Sequence, residues 1–111
     1  MKMYGIPNCN TIKKAKAALT AKGLDFEFHN YKKDGIDAVT LESWCNQVGW
    51  KTLLNQRGTT WRKLSADDKE GINQDKAIAL MCTYPSMIKR PVLVVDDKVI
   101  VGFDEAVYAE L

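Results

Sequence analysis

The chain has 111 residues, which is enough for one domain with a single hydrophobic core and too few for two ordinary domains. Hydrophobic residues make up 46% of it and charged residues 27%, a composition that excludes disordered and fibrous proteins. The net charge of +2 gives no reason to expect nucleic acid or a membrane as a partner, and no apolar run approaches the ~18 residues of a membrane span.

The first third of the chain predicts a strand, a helix and a second strand. Residues Met1–Tyr4 form a candidate strand, and Asn10–Lys22 is predicted to be a helix that ends at Gly23. One side of this helix is apolar, with Ile12, Ala15, Ala18 and Leu19. The aromatic segment Asp25–Tyr31 is predicted to be extended. Two strands joined by a helix within about 30 residues indicate a βαβ unit with parallel strands.

Helical periodicity dominates residues 38–84. A first apolar stripe with the spacing i, i+3, i+4 and i+7 consists of Leu41, Trp44, Cys45 and Val48. A second stripe, which Pro85 ends, consists of Ile78, Met81 and Cys82. Between the stripes, Thr59–Leu64 predicts a short helical turn, and Ser65 followed by Asp68 is a capping signal. This stretch therefore predicts a set of helices.

The last third returns to strands. Pro91–Val95 is rich in β-branched residues, Asp96-Asp97 predicts a turn, and Lys98–Val101 alternates polar and apolar side chains, so the segment predicts a hairpin. Glu105–Leu111 predicts a closing helix. The order βαβ, helices, then αββα predicts an α/β, thioredoxin-like fold with a small mixed sheet. We expect residues 1–111 to form a single domain, with residues ~38–74 as a helical insertion.

Cys9 lies where the first strand gives way to the helix. It precedes Asn10 and Thr11, both good N-caps, so its thiol is predicted to lie at a helix N-terminus. Unpaired N–H groups and the helix dipole favour an anion there, and a thiolate is such an anion. Lys13 and Lys14 follow in the first turn, where cations are unfavourable unless a thiolate or an anionic ligand is near. The alternatives are a solvated lysine face and a thiol that only packs in a loop.

The other two cysteines and the single histidine carry weaker signals. Cys45 and Cys82 fall on apolar stripes, which predicts inert core thiols. His29 lies in a strand pattern, which predicts a structural role, and no CxxC or HxxxH spacing supports a metal site or a Cys/His protease pair. Three irregularly spaced cysteines, with no signal-like apolar stretch at the N-terminus, lead us to expect a reduced, cytoplasmic protein.

Four motifs together resemble the ArsC/Spx family, and within it the YffB-like branch. They are Pro7-Asn-Cys-Asn-Thr, Lys14-Ala-Lys-Ala, Ile88-Lys-Arg-Pro91 and Val101-Gly-Phe-Asp-Glu105. The resemblance covers nearly the whole chain and implies a thioredoxin-like fold with a helical insertion. In such folds a proline at the position of Pro91 is typically cis and lies beside the reactive cysteine, so Arg90 would bring a permanent cation toward Cys9.

The family contains arsenate reductases coupled to glutaredoxin, and the resemblance implies part of their site. In those enzymes a cysteine matching Cys9 attacks arsenate and arginines hold the oxyanion. Thr11 and Arg90 match that pattern as well, and Arg57 is a candidate for a second arginine. Three positions depart from it, because those enzymes carry His, Ser and a third arginine where this chain has Gly5, Ile12 and Gly102. The oxyanion clamp is therefore depleted, and we do not expect arsenate as the true substrate.

The Spx regulators form the other branch of the family. They typically use a CxxC switch and bind the RNA polymerase α subunit. In this chain Ile12 replaces the second cysteine, so that an intramolecular CxxC disulfide cannot form. An Spx-like regulator that binds RNA polymerase and a non-catalytic binding module stay open as alternatives to an enzyme.

The residues and the resemblance together predict a thiol-dependent reductase with one nucleophilic cysteine. We expect Cys9 and Arg90 to be catalytic, and we expect the substrate to contact Asn10, Thr11, Lys13, Lys14, Arg57 and Pro91. Glutathione is the expected co-substrate and glutaredoxin a further candidate partner. We expect no tightly bound cofactor, no metal, no direct binding of nucleic acid, no membrane association and a monomeric protein.

Overall fold

The computed structural model describes residues 1–111 and divides into two compact units. The first, which we call the sheet unit, comprises Met1–Asp34 and Arg90–Leu111. The second, which we call the helical unit, comprises Gly35–Lys89. It contains residues ~38–74, where the sequence predicts a helical insertion, and continues beyond them, so that the helix carrying Cys82 belongs to the helical unit.

Four strands form the sheet of the sheet unit, in the order β2-β1-β3-β4. They are β1 Lys2–Gly5, β2 Glu27–Asn30, β3 Val92–Val95 and β4 Lys98–Val101. β1 and β2 run parallel with Tyr4 opposite His29, whereas β3 runs antiparallel to β1 with Val92 opposite Tyr4. The predicted βαβ unit and the mixed sheet are confirmed, and the fold is thioredoxin-like.

β3 and β4 form the predicted hairpin, in which Val95 pairs with Lys98. The two residues of the turn, Asp96 and Asp97, have φ angles of 47° and 67°. Two-residue hairpin loops of this type need positive φ at both positions, and aspartate tolerates that region better than most residues do. The Asp-Asp pair therefore suits the turn that the sequence predicts for it.

Two helices of the sheet unit, α1 (Asn10–Ala21) and α8 (Glu105–Ala109), pack against each other. Their apolar sides join the sheet in one core cluster that consists of Met3, Ile12, Ala15, Leu19, Leu93 and Tyr108. Burial of this apolar surface is the main force that holds α1 to the sheet. α1 ends one residue before the predicted boundary, because Gly23, with φ of 71°, turns the chain and lets the N–H of Leu24 donate to the carbonyl of Leu19 at 3.0 Å.

β2 ends earlier than the sequence predicts. The expected extended segment runs through Tyr31, but the strand stops at Asn30 and Tyr31–Asp34 forms a single helical turn, α2. The side chain of Asn30 explains the difference, since its Oδ1 accepts the N–H of Lys32 at 2.9 Å and competes with strand pairing. Tyr31 therefore follows directly after the carboxyl end of β2, where its side chain is buried.

The helical unit consists of short helices, as the periodicity of residues 38–84 predicts. They are α3 Ala38–Val48, α4 Trp50–Leu53, α5 Thr59–Arg62, α6 Ala66–Lys69 and α7 Gln74–Thr83, followed by a 3₁₀ turn at Pro85–Met87. Side chains of Asp37, Ser65 and Asn73 cap α3, α6 and α7 by accepting a backbone N–H three residues on. α3 packs on α7. No helix in the chain has the length and apolar character needed to cross a bilayer.

Candidate active site

Cys9 occupies the N-cap of α1. Its backbone is extended, with φ of −115° and ψ of 129°, and its carbonyl oxygen accepts the N–H of Lys13 at 3.0 Å. The sequence favours Asn10 or Thr11 as the cap, but the helix begins at Asn10, and Cys9 itself takes the capping position. The thiol therefore lies at the helix N-terminus, where the N–H groups of the first turn have no partner within the helix.

The surroundings of Cys9 favour its thiolate. Burial raises the pKa of the thiol, but this is outweighed by the N–H of Ile12, a hydrogen bond from the Arg90 side chain, the N–H of Thr11 and the charge of Arg90. The resulting pKa lies below the usual value for cysteine.

Arg90 reaches Cys9 because of the way the sheet is paired. β3 lies antiparallel beside β1, so the residues just before β3 lie beside the carboxyl end of β1, where the chain turns toward Cys9. The peptide bond between Arg90 and Pro91 is cis. The structure thus brings together Cys9, Arg90 and Pro91, which the sequence analysis selected from segments 81 or more residues apart.

A buried isoleucine fills the space behind this site. Ile12 is completely buried, and a Cβ built on Gly5 would collide with its Cδ1 and lie 3.2 Å from its Cγ1. The same Cβ would lie 3.7 Å from the Cβ of Arg90. In the sequence, Gly5 and Ile12 are two separate departures from the arsenate reductase pattern. In the structure they are linked, because the side chain of Ile12 occupies the space that a side chain on residue 5 would need.

Gly102, the third departure from that pattern, lies beside Pro91. Its N–H donates to the carbonyl oxygen of Pro91 at 2.8 Å, and its φ of 81° lies in the region that glycine tolerates and most residues avoid. A side chain at this position would strain the backbone next to Arg90.

An aromatic cluster of Tyr4, His29 and Tyr31 lies at the carboxyl ends of the parallel strands β1 and β2. The ring centroids of Tyr4 and His29 are 4.9 Å apart, and those of Tyr4 and Tyr31 are 6.2 Å apart. His29 thus packs as the sequence predicts. The hydroxyl of Tyr31 is buried without a hydrogen-bond partner, and burial, with a smaller contribution from Tyr4, raises its pKa against the opposing charge of Arg90.

Sequence reasoning missed Tyr31. The residue was expected at the end of an extended segment, and nothing in the pattern around it marks a buried polar group. The usable signal was topological: the carboxyl ends of two parallel strands meet at one edge of a sheet, so residues that follow β1 and β2 become neighbours.

The predicted contact residues at the start of α1 differ in their surroundings. Thr11 is half-buried and its N–H lowers the pKa of Cys9, whereas Asn10 is exposed. Lys13 and Lys14 are also exposed, and neither is among the groups that lower the pKa of Cys9. The sequence predicts that the helix start, Arg90 and one of these lysines stabilise the thiolate. Of these, the first-turn N–H groups and Arg90 lower the pKa of Cys9.

The remaining candidates lie in the helical unit. Arg57 is exposed, and its N–H donates to Oδ1 of Asn55 at 3.1 Å. Cys45 is buried on α3 as predicted, but Cys82 is only half-buried, because α7 buries the face formed by Ala77, Ile78 and Met81. Burial raises the pKa of Cys45 and of Cys82, in each case with help from a nearby carboxylate. No group of three or more His, Cys, Asp or Glu side chains is arranged to hold a metal ion.

Two proteins are similar to this chain in sequence over most of its length. An uncharacterized protein of Haemophilus influenzae is 38% identical over 106 residues, which cover 96% of this chain and 93% of that protein. The global transcriptional regulator Spx of Streptococcus pyogenes is 27% identical over 101 residues, which cover 89% of this chain and 75% of that protein.

Solved structures resemble the chain over nearly its full length. A protein named YffB superimposes with a TM-score of 0.96 at 46% identity, covering 98% of this chain and 96% of that one. An arsenate reductase (ArsC) related protein of Brucella melitensis has a TM-score of 0.78 at 48% identity, covering 98% and 91%. The statistical model of the ArsC family matches residues 4–111, and this protein belongs to the ArsC family.

Proposed function

We propose that this protein is a thiol-dependent reductase whose single nucleophile is Cys9. The observation that carries the proposal is the lowered pKa of Cys9, which originates in the first-turn N–H groups of α1 and in Arg90. A lowered pKa increases the share of thiolate near neutral pH, and the thiolate is the form that attacks sulfur. A disulfide is therefore the electrophile that best suits the site.

Glutathione is the proposed reductant, and two exchange reactions complete the cycle. In the first, the Cys9 thiolate attacks the glutathione sulfur of a mixed disulfide, and the substrate leaves as a thiolate that takes a proton from water. In the second, the thiolate of another glutathione attacks the glutathione sulfur bound to Cys9, which releases the Cys9 thiolate and glutathione disulfide. The sum converts one mixed disulfide and one glutathione into one free thiol and one glutathione disulfide.

The need for an external thiol follows from the residue at position 12. A cysteine there would complete a CxxC pair and resolve the mixed disulfide within the protein, but the residue is a buried isoleucine. The second exchange therefore requires a small thiol such as glutathione, or a glutaredoxin in its place. Arg90 would stabilise the attacking thiolate and hold a carboxylate of glutathione through its planar fork.

Arsenate is a weaker candidate substrate. A multiply charged oxyanion needs several cationic or hydrogen-bonding side chains, and this site offers Arg90 and the first-turn N–H groups. At three further positions where the resembled enzymes carry polar side chains, this chain has Gly5, Ile12 and Gly102, and the first two pack against each other.

A regulator of the Spx type is the second candidate, because proteins called global transcriptional regulator Spx match 89% of this chain. In this interpretation Cys9 has no chemical role and RNA polymerase is the partner. Capture of RNA polymerase by the tagged protein, unaffected by Cys9→Ser, would favour the regulator over the enzyme.

The reductase proposal is tested with oxidised glutathione and intact-mass measurement. We expect one glutathione per chain, located on Cys9 by peptide mapping, and no adduct on Cys9→Ser. Cys82→Ser is the matched control, since it removes a half-buried thiol outside the candidate site and should leave the adduct in place. Turnover of a glutathionylated peptide, followed through glutathione disulfide, should likewise require Cys9. A protein that never forms the adduct, or that turns over equally well without Cys9, would contradict the proposal.

A further inference from the structure

A cavity of about 280 Å³ in the helical unit is lined by three cationic side chains. They are Lys51, Arg57 and Lys89, and they share the cavity with Leu54, Asn55 and Gln56. No aspartate or glutamate is among its lining residues. The charge is concentrated locally, because residues 35–89 as a whole contain seven lysines and arginines against six acidic residues.

Backbone hydrogen bonds tie together the two segments that carry most of this charge. The N–H of Lys89 donates to the carbonyl oxygen of Leu53 at 2.8 Å, and the N–H of Asn55 donates to that of Met87 at 2.7 Å. An isolated antiparallel bridge joins the same two segments between these bonds. Lys89 and residues 55–57 are therefore held side by side by the backbone, and their shared cavity does not depend on side-chain conformation alone.

The backbone at Arg57 is fixed by its neighbours. Its N–H donates to Oδ1 of Asn55 at 3.1 Å, which forms an Asx turn. The next residue is Gly58, where a Cβ would lie 3.0 Å from Nδ2 of Asn55 and press on the same amide. The absence of a side chain at Gly58 therefore permits the turn that presents Arg57 to the cavity.

The chemistry of the lining selects an oxyanion. Three like charges around one cavity repel one another, and an anion with two negative charges would relieve that repulsion. The planar guanidinium of Arg57 can donate two parallel hydrogen bonds to such an anion, while the lysines act as point charges. The volume is near the lower limit for ligand sites, so the cavity fits a small molecule or the charged end of a larger one.

We propose that this cavity is a binding site for a phosphate-bearing small molecule. Arg57 holds two phosphate oxygens, and Lys51 and Lys89 neutralise the remaining charge. A dianionic phosphate is preferred to a single carboxylate because three cations meet it. The site makes no use of Cys9, so the proposal does not depend on the reductase function.

The test is a titration of ¹⁵N-labelled Cys9→Ser protein with inorganic phosphate, followed by ¹H–¹⁵N NMR at constant ionic strength. Removing the thiol excludes Cys9 chemistry from the readout. We expect saturable shifts of the amides of Asn55, Gln56, Arg57 and Lys89. A parallel titration with glycerol phosphate distinguishes the two sources of the ligand: tighter binding of the ester assigns the site to a phosphomonoester, and tighter binding of the inorganic ion assigns it to free phosphate.

Charge-matched variants locate the binding energy. Arg57→Gln should weaken phosphate binding about 10-fold or more, because a charge-assisted pair of hydrogen bonds is lost, and Arg57→Lys should recover only part of it. Arg62→Gln removes the same charge from an exposed arginine that does not line the cavity, and it should change the affinity less than twofold. Because these arginines are exposed, we expect the variants to fold. The ¹H–¹⁵N spectrum of each variant checks this.

Three results would overturn the proposal. The shifts could rise linearly without saturation, Arg62→Gln could weaken binding as much as Arg57→Gln, or glutathione, which has carboxylates and no phosphate, could displace the phosphate at equal concentration. The first two results would mean that phosphate only screens surface charge. The third would mean that the cavity has no preference for phosphate.

Discussion

The side chain of Ile12 stands where a side chain on residue 5 would have to go. A Cβ on Gly5 would collide with Cδ1 of Ile12, which is completely buried in the core cluster of the sheet unit. The two residues therefore constrain each other: a side chain on residue 5 would force Ile12 to move from its buried position or favour a smaller residue there. This packing leaves Arg90 and backbone N–H groups as the donors around Cys9.

The first prediction follows from this constraint. Gly5→Ala should lower the free energy of unfolding by about 1–3 kcal/mol, because the added methyl group overpacks the core. Ile12→Val removes the colliding Cδ1 atom and should cost about 0.5–1.5 kcal/mol by itself. The double variant should be more stable than the sum of the two changes predicts, by about 0.5 kcal/mol or more. Urea unfolding of the four proteins gives the coupling energy directly.

A matched cycle serves as the control for this coupling. Ile100→Val removes the same methyl group from β4, which is separated from β1 by β3. Combined with Gly5→Ala, it should give additive changes within about 0.3–0.5 kcal/mol. Additive changes in the Gly5 and Ile12 cycle as well would show that the core relaxes without Ile12 giving way.

The second prediction concerns the pH dependence of Cys9. Its alkylation rate should reach half of its maximum at a lower pH than that of an unperturbed cysteine, because the donors around the sulfur stabilise the thiolate. The measurement is the rate of labelling by a neutral alkylating agent between pH 5 and 10, followed by mass. A midpoint at or above that of an unperturbed cysteine, about pH 8.5, would remove the basis of the proposed reductase.

Stability should respond to the same ionisation, and the sign is fixed by the direction of the shift. The folded-state pKa of Cys9 is lower than the unfolded-state value, so the folded protein releases its proton first as the pH rises. The contribution of the thiolate to stability is therefore complete above the unfolded-state pKa and is lost as the pH falls through the folded-state pKa. Cys9→Ser should remove this rise in the free energy of unfolding, whereas Cys45→Ser should not.

Local signals explain why much of the fold could be predicted from the sequence. The hairpin turn at Asp96-Asp97, the glycine that ends α1 and the capping Ser65 each act within a few residues, so the pattern alone reveals them. The position of Cys9 at a helix start is confirmed. The family resemblance pointed to Arg90 and Pro91, and Arg90 hydrogen-bonds to Cys9, but the part of these two residues in catalysis stays a prediction.

The features that could not be predicted from the sequence depend on contacts between distant segments of the chain. The expectation that Cys82 is a core residue was wrong because a stripe at helical spacing does not say where the buried face ends. The packed face of α7 is centred on Ala77 and Met81, and Cys82 lies at its edge. The collision between Gly5 and Ile12 depends on how α1 sits on β1. No local pattern carries that information.

The third prediction ranks the reactivity of the three thiols. At pH 7 Cys9 should react first, Cys82 more slowly and Cys45 last. Cys9 has a lowered pKa, whereas burial and nearby carboxylates raise the pKa of the other two, and Cys45 is 5% exposed while Cys82 is half-buried. Peptide mapping after brief labelling gives the order. Labelling of Cys45 before Cys82 would mean that α3 opens more readily than α7.

The fourth prediction concerns the two buried tyrosines whose hydroxyls have no hydrogen-bond partner, Tyr31 and Tyr108. An unpaired buried hydroxyl costs about 1–3 kcal/mol of desolvation, so Tyr31→Phe and Tyr108→Phe should each raise the free energy of unfolding by about 1 kcal/mol. Urea unfolding checks both. Because Tyr31 lies in the field of Arg90 and Tyr108 lies in the core cluster, a loss of stability confined to Tyr31→Phe would show that its hydroxyl is paired in solution.

The last prediction separates the charge of Arg90 from its hydrogen bonds. Arg90→Ala removes both and should raise the pKa of Cys9, whereas Arg90→Lys keeps the charge and loses the planar fork. Because the hydrogen bond from Arg90 lowers the pKa of Cys9 more than its charge does, the lysine variant should have an intermediate pKa. Its glutathione-dependent turnover should fall about 10- to 100-fold, since a lost charge-assisted contact costs about 1.5–3 kcal/mol. The pH dependence of alkylation gives the pKa of Cys9 in each variant, and kcat/KM measured on the same proteins gives the change in turnover. Normal turnover and a normal Cys9 pKa in Arg90→Ala would exclude Arg90 from the site.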